Sequence, residues 1–100
     1  MATTATVVTK NIQENNSIWE NANLYKLGEA AHVTIYHCGG DDEDDYEFII
    51  VELNPDGRAE IFAARESEAT VTWRPLHEIK DAHSHEAALE MAGYQLVTAA

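Results

Sequence analysis

FIIVELNPDGRAEIF, residues 48–62, carries the architecture of this chain. Asn54-Pro55-Asp56-Gly57 is its clearest local signal. Pro55 presets φ for the first turn position, Asp56 tolerates the second, and Gly57 accepts a positive φ. An apolar run on each side predicts a hairpin with a G1-type bulge at the glycine. In the incoming run, Phe48 and Ile50 alternate with Ile49, Val51 and Leu53, so both sides are apolar in the middle. That pattern predicts a central strand covered on both faces. RAEIFAA is the return strand, with Ile61 and Phe62.

Working outward, AHVTIYHC alternates with β-branched content and predicts a strand upstream of the hairpin, with His32 and His37 on opposite faces. SIWENANLYKLGE reads either way: Ser17 and Glu20 have capping-box spacing and Gly28 could end a helix, but Asn21 and Asn23 disfavour a helix interior, so the reading leans to a short strand over NLYKL. Downstream, ATVTWR alternates until Pro75 stops it, placing Trp73 on an apolar face. The period then changes. HEAALEMA reads as a short helix with Ala88, Leu89 and Ala92 inward, Asp81 or Ser84 as N-cap, and Gly93 in the left-handed position past its end. QLV returns as an edge strand. The expected fold is α+β: an antiparallel meander of four to five strands with one C-terminal helix packed on one face. TATVVT, with β-branched Val7 and Val8 among threonines, is compatible with a short strand; residues 1–17 otherwise read as a flexible N-terminal arm unless a sheet edge holds them, and residues 18–100 as a single α+β domain.

The 100 residues carry eighteen acids against six bases, a net charge of −12 and a pI near 4.5. That balance argues against direct binding to nucleic acid or an anionic membrane and favours a basic protein surface. The single Cys38 excludes an intramolecular disulfide and suits a reducing compartment, so a cytoplasmic location is expected. No apolar run approaches membrane-spanning length, and the N-terminus lacks a secretory signal's pattern.

GGDDEDDYE, residues 39–47, concentrates the charge. It reads as a charged turn between two strands. A calcium loop started at Asp41 would need glycine where Tyr46 stands, and its final ligand, Glu52, falls inside a strand. No burial sets one carboxyl apart as a catalytic acid or base. A phosphate-cradling glycine loop, a dinucleotide fingerprint and GxSxG are all missing, so no cofactor and no enzymatic activity are expected. Five consecutive acids do approach the charge density of a nucleic-acid backbone. Glu47, Glu52, Glu60, Glu66, Glu68 and Glu78 would extend the pattern if the fold gathers them. The plainer reading is a solvated run that keeps neighbouring strands from aggregating.

His77, His83 and His85 form the only histidine grouping of interest, without the spacing of a zinc helix. Cys38 beside His37 on a strand would point away from it, which leaves no nucleophile–base pair. Trp19 and Tyr46 are candidate contact aromatics.

The order strand, acidic stretch, YEFIIVEL, NPDG, RAEIF and HEAALEMAGY resembles small accessory proteins encoded by bacteriophages, over about residues 22–97. Such proteins often end in a helix of the form HEEAL, then GY and a short strand. The resemblance carries no catalytic residues and implies a binding role, as in those that block a host protein. The expectation is therefore a small acidic non-enzymatic binding protein, a nucleic-acid mimic occupying a host nucleic-acid-binding protein. Its contacts would come from Asp41, Asp42, Glu43, Asp44, Asp45, Tyr46, Glu47 and Trp19. The alternatives are a divalent-metal or small-ligand domain using the acidic stretch or the histidines, and a structural subunit that pairs edge strands as a homodimer.

Overall fold

The computed structural model describes residues 3–10, 12, 21–67, 70, 71 and 74–97, with the side chains of residues 36 and 37 excepted. In chain order the elements are β1 (Thr3–Thr9), β2 (Ala22–His37), β3 (Gly40–Leu53), β4 (Ala59–Ala64), β5 (His77–Ile79), α1 (His85–Met91) and β6 (Tyr94–Val97). The six strands form one sheet in the order β5-β4-β3-β2-β1-β6. As read from the sequence, β3 is interior and α1 is a C-terminal helix. The sheet, however, is mixed rather than a pure meander of four to five strands. Neighbours from β5 to β1 are antiparallel, but β6 runs parallel to β1, with Thr3 opposite Tyr94 and Thr6 opposite Val97. The crossover through α1 makes this pairing, carrying the chain from one edge of the sheet to the other.

β3 is apolar on both sides because both sides are covered. Ile49 and Val51 point into the main core with Tyr25, Leu27, Ile61, Ala63 and Leu89. Ile50 points the other way, into a smaller cluster with Ile12, Ala22, Leu24 and Ala64. The main core is the inner side of a curled sheet. A flat sheet would separate β5 from β6 by about 24 Å at ordinary strand spacing. Yet the His77 ring on β5 meets the Tyr94 ring on β6 edge-on, with centroids 6.0 Å apart. α1 lies against β6, β3 and β4 together, its Ala88 and Leu89 fully buried, so the helix fills the curl of a half-barrel.

The turns and caps follow from the residues that make them. The Asn54 carbonyl accepts from Gly57 N–H at 3.0 Å and Asn54 N–H donates to Arg58 at 2.7 Å, closing the expected bulged hairpin with Gly57 at φ +93°. Asp56 accepts from the Arg58 backbone N–H, the main cause of its carboxyl lying below the usual range. The Ser84 hydroxyl caps α1 by accepting from Ala87 N–H at 3.0 Å, and Gly93 follows the helix at φ +93°.

Three expected segments are placed as follows. Within residues 1–17 a sheet edge holds a strand at Thr3–Thr9, over the TATVVT segment, with Ala5 fully buried between β2 and β6. Ile12 is buried as well, so this segment belongs to the domain expected over 18–100; residues 13–20 lie outside the described ones. NLYKL and AHVTIYH are one 16-residue strand rather than two. Half of the ATVTWR segment, residues 69, 72 and 73, lies outside the described ones; of the rest, Thr70 forms a bridge with Ala64 and Val71 N–H donates to the Ala63 carbonyl at 2.8 Å.

A large irregularity in the β2–β3 ladder has wide consequences. Lys26 pairs with Phe48 and Ala31 with Tyr46, so residues 27–30 stand against Glu47 alone. Tyr46 and Phe48, two residues apart, therefore face opposite sides. Tyr46 packs into the main core and accepts the Tyr94 hydroxyl, while Phe48 packs on the smaller cluster.

A Cβ at Gly57 would collide with the His83 imidazole in addition to the strain of positive φ, whereas one at Gly93 meets open space. Gly57→Ala should cost about 1–3 kcal/mol and Gly93→Ala about 1–2. Chemical denaturation checks the order, and equal losses would show that His83 does not rest on Gly57. Burial raises the hydroxyl pKa of Tyr25, Tyr46 and Tyr94, the last also through neighbouring Tyr46. Groups with raised folded pKa values contribute stability that is complete below their unfolded pKa of about 10 and lost as pH climbs beyond it. The denaturation midpoint should hold to about pH 10 and then fall. Tyr94→Phe should flatten that fall.

Candidate functional site

The acidic stretch is a strand, not a turn. Asp41 to Asp45 lie within β3, paired residue for residue with Tyr36 to His32, and the chain reverses at Cys38-Gly39. Aspartate is a poor strand former on its own. Here the alternating partner segment VTIY supplies the pairing edge, and solvent takes the carboxylates. β1 reaches β2 only at residues 24–27, and β4 reaches β3 only at 48–53. The far half of the hairpin, residues 31–37 with 40–46, is thus a ribbon of two strands paired to each other, with Ala31, Val33 and Tyr46 packed on the main core. Cys38 is exposed at its tip.

Alternation divides the five acids. Directly opposed residues share a side. Val33, which packs on the main core, faces Asp44; His32 faces Asp45 and Thr34 faces Glu43. Asp42 and Asp44 therefore lie on the inner side, and Asp41, Glu43 and Asp45 on the outer. On the inner side, the Arg65 guanidinium donates to Asp44 at 2.9 Å. On the outer side, His32 sits between two carboxylates, with Nδ1 2.8 Å from Asp45 and Nε2 3.2 Å from Glu43. Its pKa is raised, first by the Asp45 hydrogen bond and then by Glu43. Asp41 has no side-chain partner among the described residues.

The sheet adds a second acidic row. Glu52 on β3 is opposite Glu60 on β4, and Glu60 is opposite Glu78 on β5. Glu52 also faces Ala22 of the smaller cluster, which puts the row on the outer side. Like charges placed directly across strands destabilise a sheet. Six acids thus share one side of the molecule, and Lys26, exposed and opposite Phe48, lies among them. Alternation within each strand fixes these sides. The row itself depends on strand order and register, which a linear reading of Glu52, Glu60 and Glu78 does not contain.

Other candidate residues are placed elsewhere. Tyr46 is only 7% exposed, so the ring is a core residue rather than a contact on the surface. Glu47 is exposed at the ladder irregularity, and Trp19 lies outside the described residues. The three histidines do not converge: His77 meets Tyr94 edge-on, His83 rests by Gly57, and His85 Nε2 bonds the Asn21 carbonyl at 2.7 Å. Among the described residues no group of three or more histidine, cysteine, aspartate or glutamate side chains is arranged to hold a metal ion. No helix among them is long and apolar enough to cross a membrane.

The molecule is thus a curled, mixed β-sheet filled by one short helix, with an acidic outer side and an acidic two-stranded ribbon. The chain belongs to a family of unknown function, DUF7572, whose model matches residues 4–95. No curated protein and no solved structure matches it.

Since the histidines have separate structural partners, one equivalent of zinc should leave the thermal midpoint unchanged. A rise with zinc that His77→Ala, His83→Ala or His85→Ala removes would restore the metal reading.

Proposed function

We propose that this is an acidic binding protein that occupies a basic, nucleic-acid-binding surface of another protein. The observation that carries the reading is the shared side of Asp41, Glu43, Asp45, Glu52, Glu60 and Glu78. An extended chain rises about 3.4 Å per residue. Asp41, Glu43 and Asp45 share the outer side at every second residue, so they repeat at about 6.8 Å, roughly twice the axial spacing of phosphates along one DNA strand. The ribbon is two strands wide, so it fits a groove lined by lysine and arginine. The row Glu52–Glu60–Glu78 adds three carboxylates to this side, with Arg58 and Lys80 lining the same pocket as Glu60 and Glu78. The exposed thiol of Cys38 suits a reducing cytoplasm. The ribbon contributes charge, hence association rate and specificity; affinity also needs apolar contact at its margins.

The test is capture from a lysate by the wild-type chain and by the variant Asp41→Asn/Asp42→Asn/Asp44→Asn/Asp45→Asn. The expected partner is a nucleic-acid-binding protein that duplex DNA displaces, and that the variant holds at least about tenfold more weakly, with a shallower salt dependence. A partner that both proteins hold equally, at every salt concentration, contradicts the reading.

A further inference from the structure

We propose that His32 is a proton-operated counter-charge on this acidic side: when protonated it holds Glu43 and Asp45, and when it loses its proton both carboxylates become available to a basic partner. The proposal rests on the basic-partner reading above and adds the regulation of that site. The geometry requires the charged ring. A neutral imidazole has one donor and one acceptor nitrogen, whereas both nitrogens of His32 face carboxylate acceptors, at 2.8 and 3.2 Å. Only imidazolium donates to both. The side chain is about half exposed, at 54%, so its proton exchanges with solvent without any opening of the fold.

The groups that set the response are few. His32 lies on β2, and the strand across from it, β3, contributes Asp45 directly opposite and Glu43 on the diagonal. Asp41 is further along the same side. Among the described residues Asp45 and Glu43 are the charges that act on the ring, while Arg65, just past β4, reaches Asp44 on the inner side of the ribbon. Protonation therefore takes the outer side of the ribbon from three negative charges to two, and it places a cation where an arginine or lysine of a partner would sit.

The signs follow from linkage. His32 has a raised pKa in the folded chain, so its bridge adds stability to the ribbon below its unfolded pKa and loses that contribution as pH rises through the folded value. A cationic partner competes with the proton for the same carboxylates. Partner binding thus expels the proton, lowers the His32 pKa, and strengthens as pH rises. Arginine-rich proteins keep their charge over this range, so the response belongs to the acidic chain.

The experiment uses a nona-arginine peptide as the basic probe, with NMR titration of the histidine rings between pH 5.5 and 8.5. Free His32 should titrate above the ordinary histidine value, and the peptide should lower its pKa. From pH 6 to pH 8 the wild-type affinity should rise about two- to fivefold more than that of His32→Gln. Identical pH dependence in the two proteins, or a His32 titration at or below the ordinary value, overturns the proposal. Failure of the underlying reading looks different. In that case the wild type and the four-asparagine variant bind nona-arginine equally at every pH, and His32 still titrates high in the free chain.

Discussion

The pairing of β2 with β3 is the constraint on which the molecule depends. It places Ile49 and Val51 in the main core, sends Ile50 to the opposite cluster, and continues past β1 and β4 as a ribbon. Every other strand is added to one side or the other of this hairpin. The irregularity at residues 27–30 turns Tyr46 inward, where it accepts the Tyr94 hydroxyl and ties the far hairpin to β6. Closure of the curl by α1 then places the rings of His77 and Tyr94 against each other across the core.

The same pairing explains how five consecutive acids are accommodated. On a loop they would be interchangeable solvated charges. On a strand they are sorted, two toward Arg65 and the inner side, three toward His32 and the outer. Exposed ion pairs of this kind contribute little stability, about 0–1 kcal/mol each. Their value is in setting which carboxylates are already engaged and which are open to a partner. The row Glu52–Glu60–Glu78 adds to the same side. The half-barrel core is what holds these acids in place: Ile49, Ile50, Val51, Ile61 and Leu89 are fully buried, each adding about 1.5–3 kcal/mol of hydrophobic burial.

Local chemistry was readable in the chain where one residue type has a single use. Asn54 to Gly57, Ser84 and Gly93 mark their turn and caps, and the doubly apolar run 48–53 marks an interior strand. What was not readable depends on partners far away in sequence. The acids of β3 read as a turn because aspartate disfavours strands, and only the register with residues 31–37 overrides that preference. In β1, Val7 and Val8 hinted at a short strand, but its place between β2 and β6, which enclose Ala5, depends on partners distant in sequence. The three residues of β5 are too few to show a period. Of the site, the charge was visible and its sorting into sides was not. Glu52, Glu60 and Glu78 become neighbours only through strand order.

The central claim is that Asp41 to Asp45 form a strand in a defined register, and cross-strand NMR contacts measure it most directly. The register predicts backbone nuclear Overhauser contacts joining His32 to Asp45 and Thr34 to Glu43, and strand-like chemical shifts through residues 41–45. Random-coil shifts there, with no contacts to residues 32–36, would contradict the ribbon and the sorting of charge that depends on it.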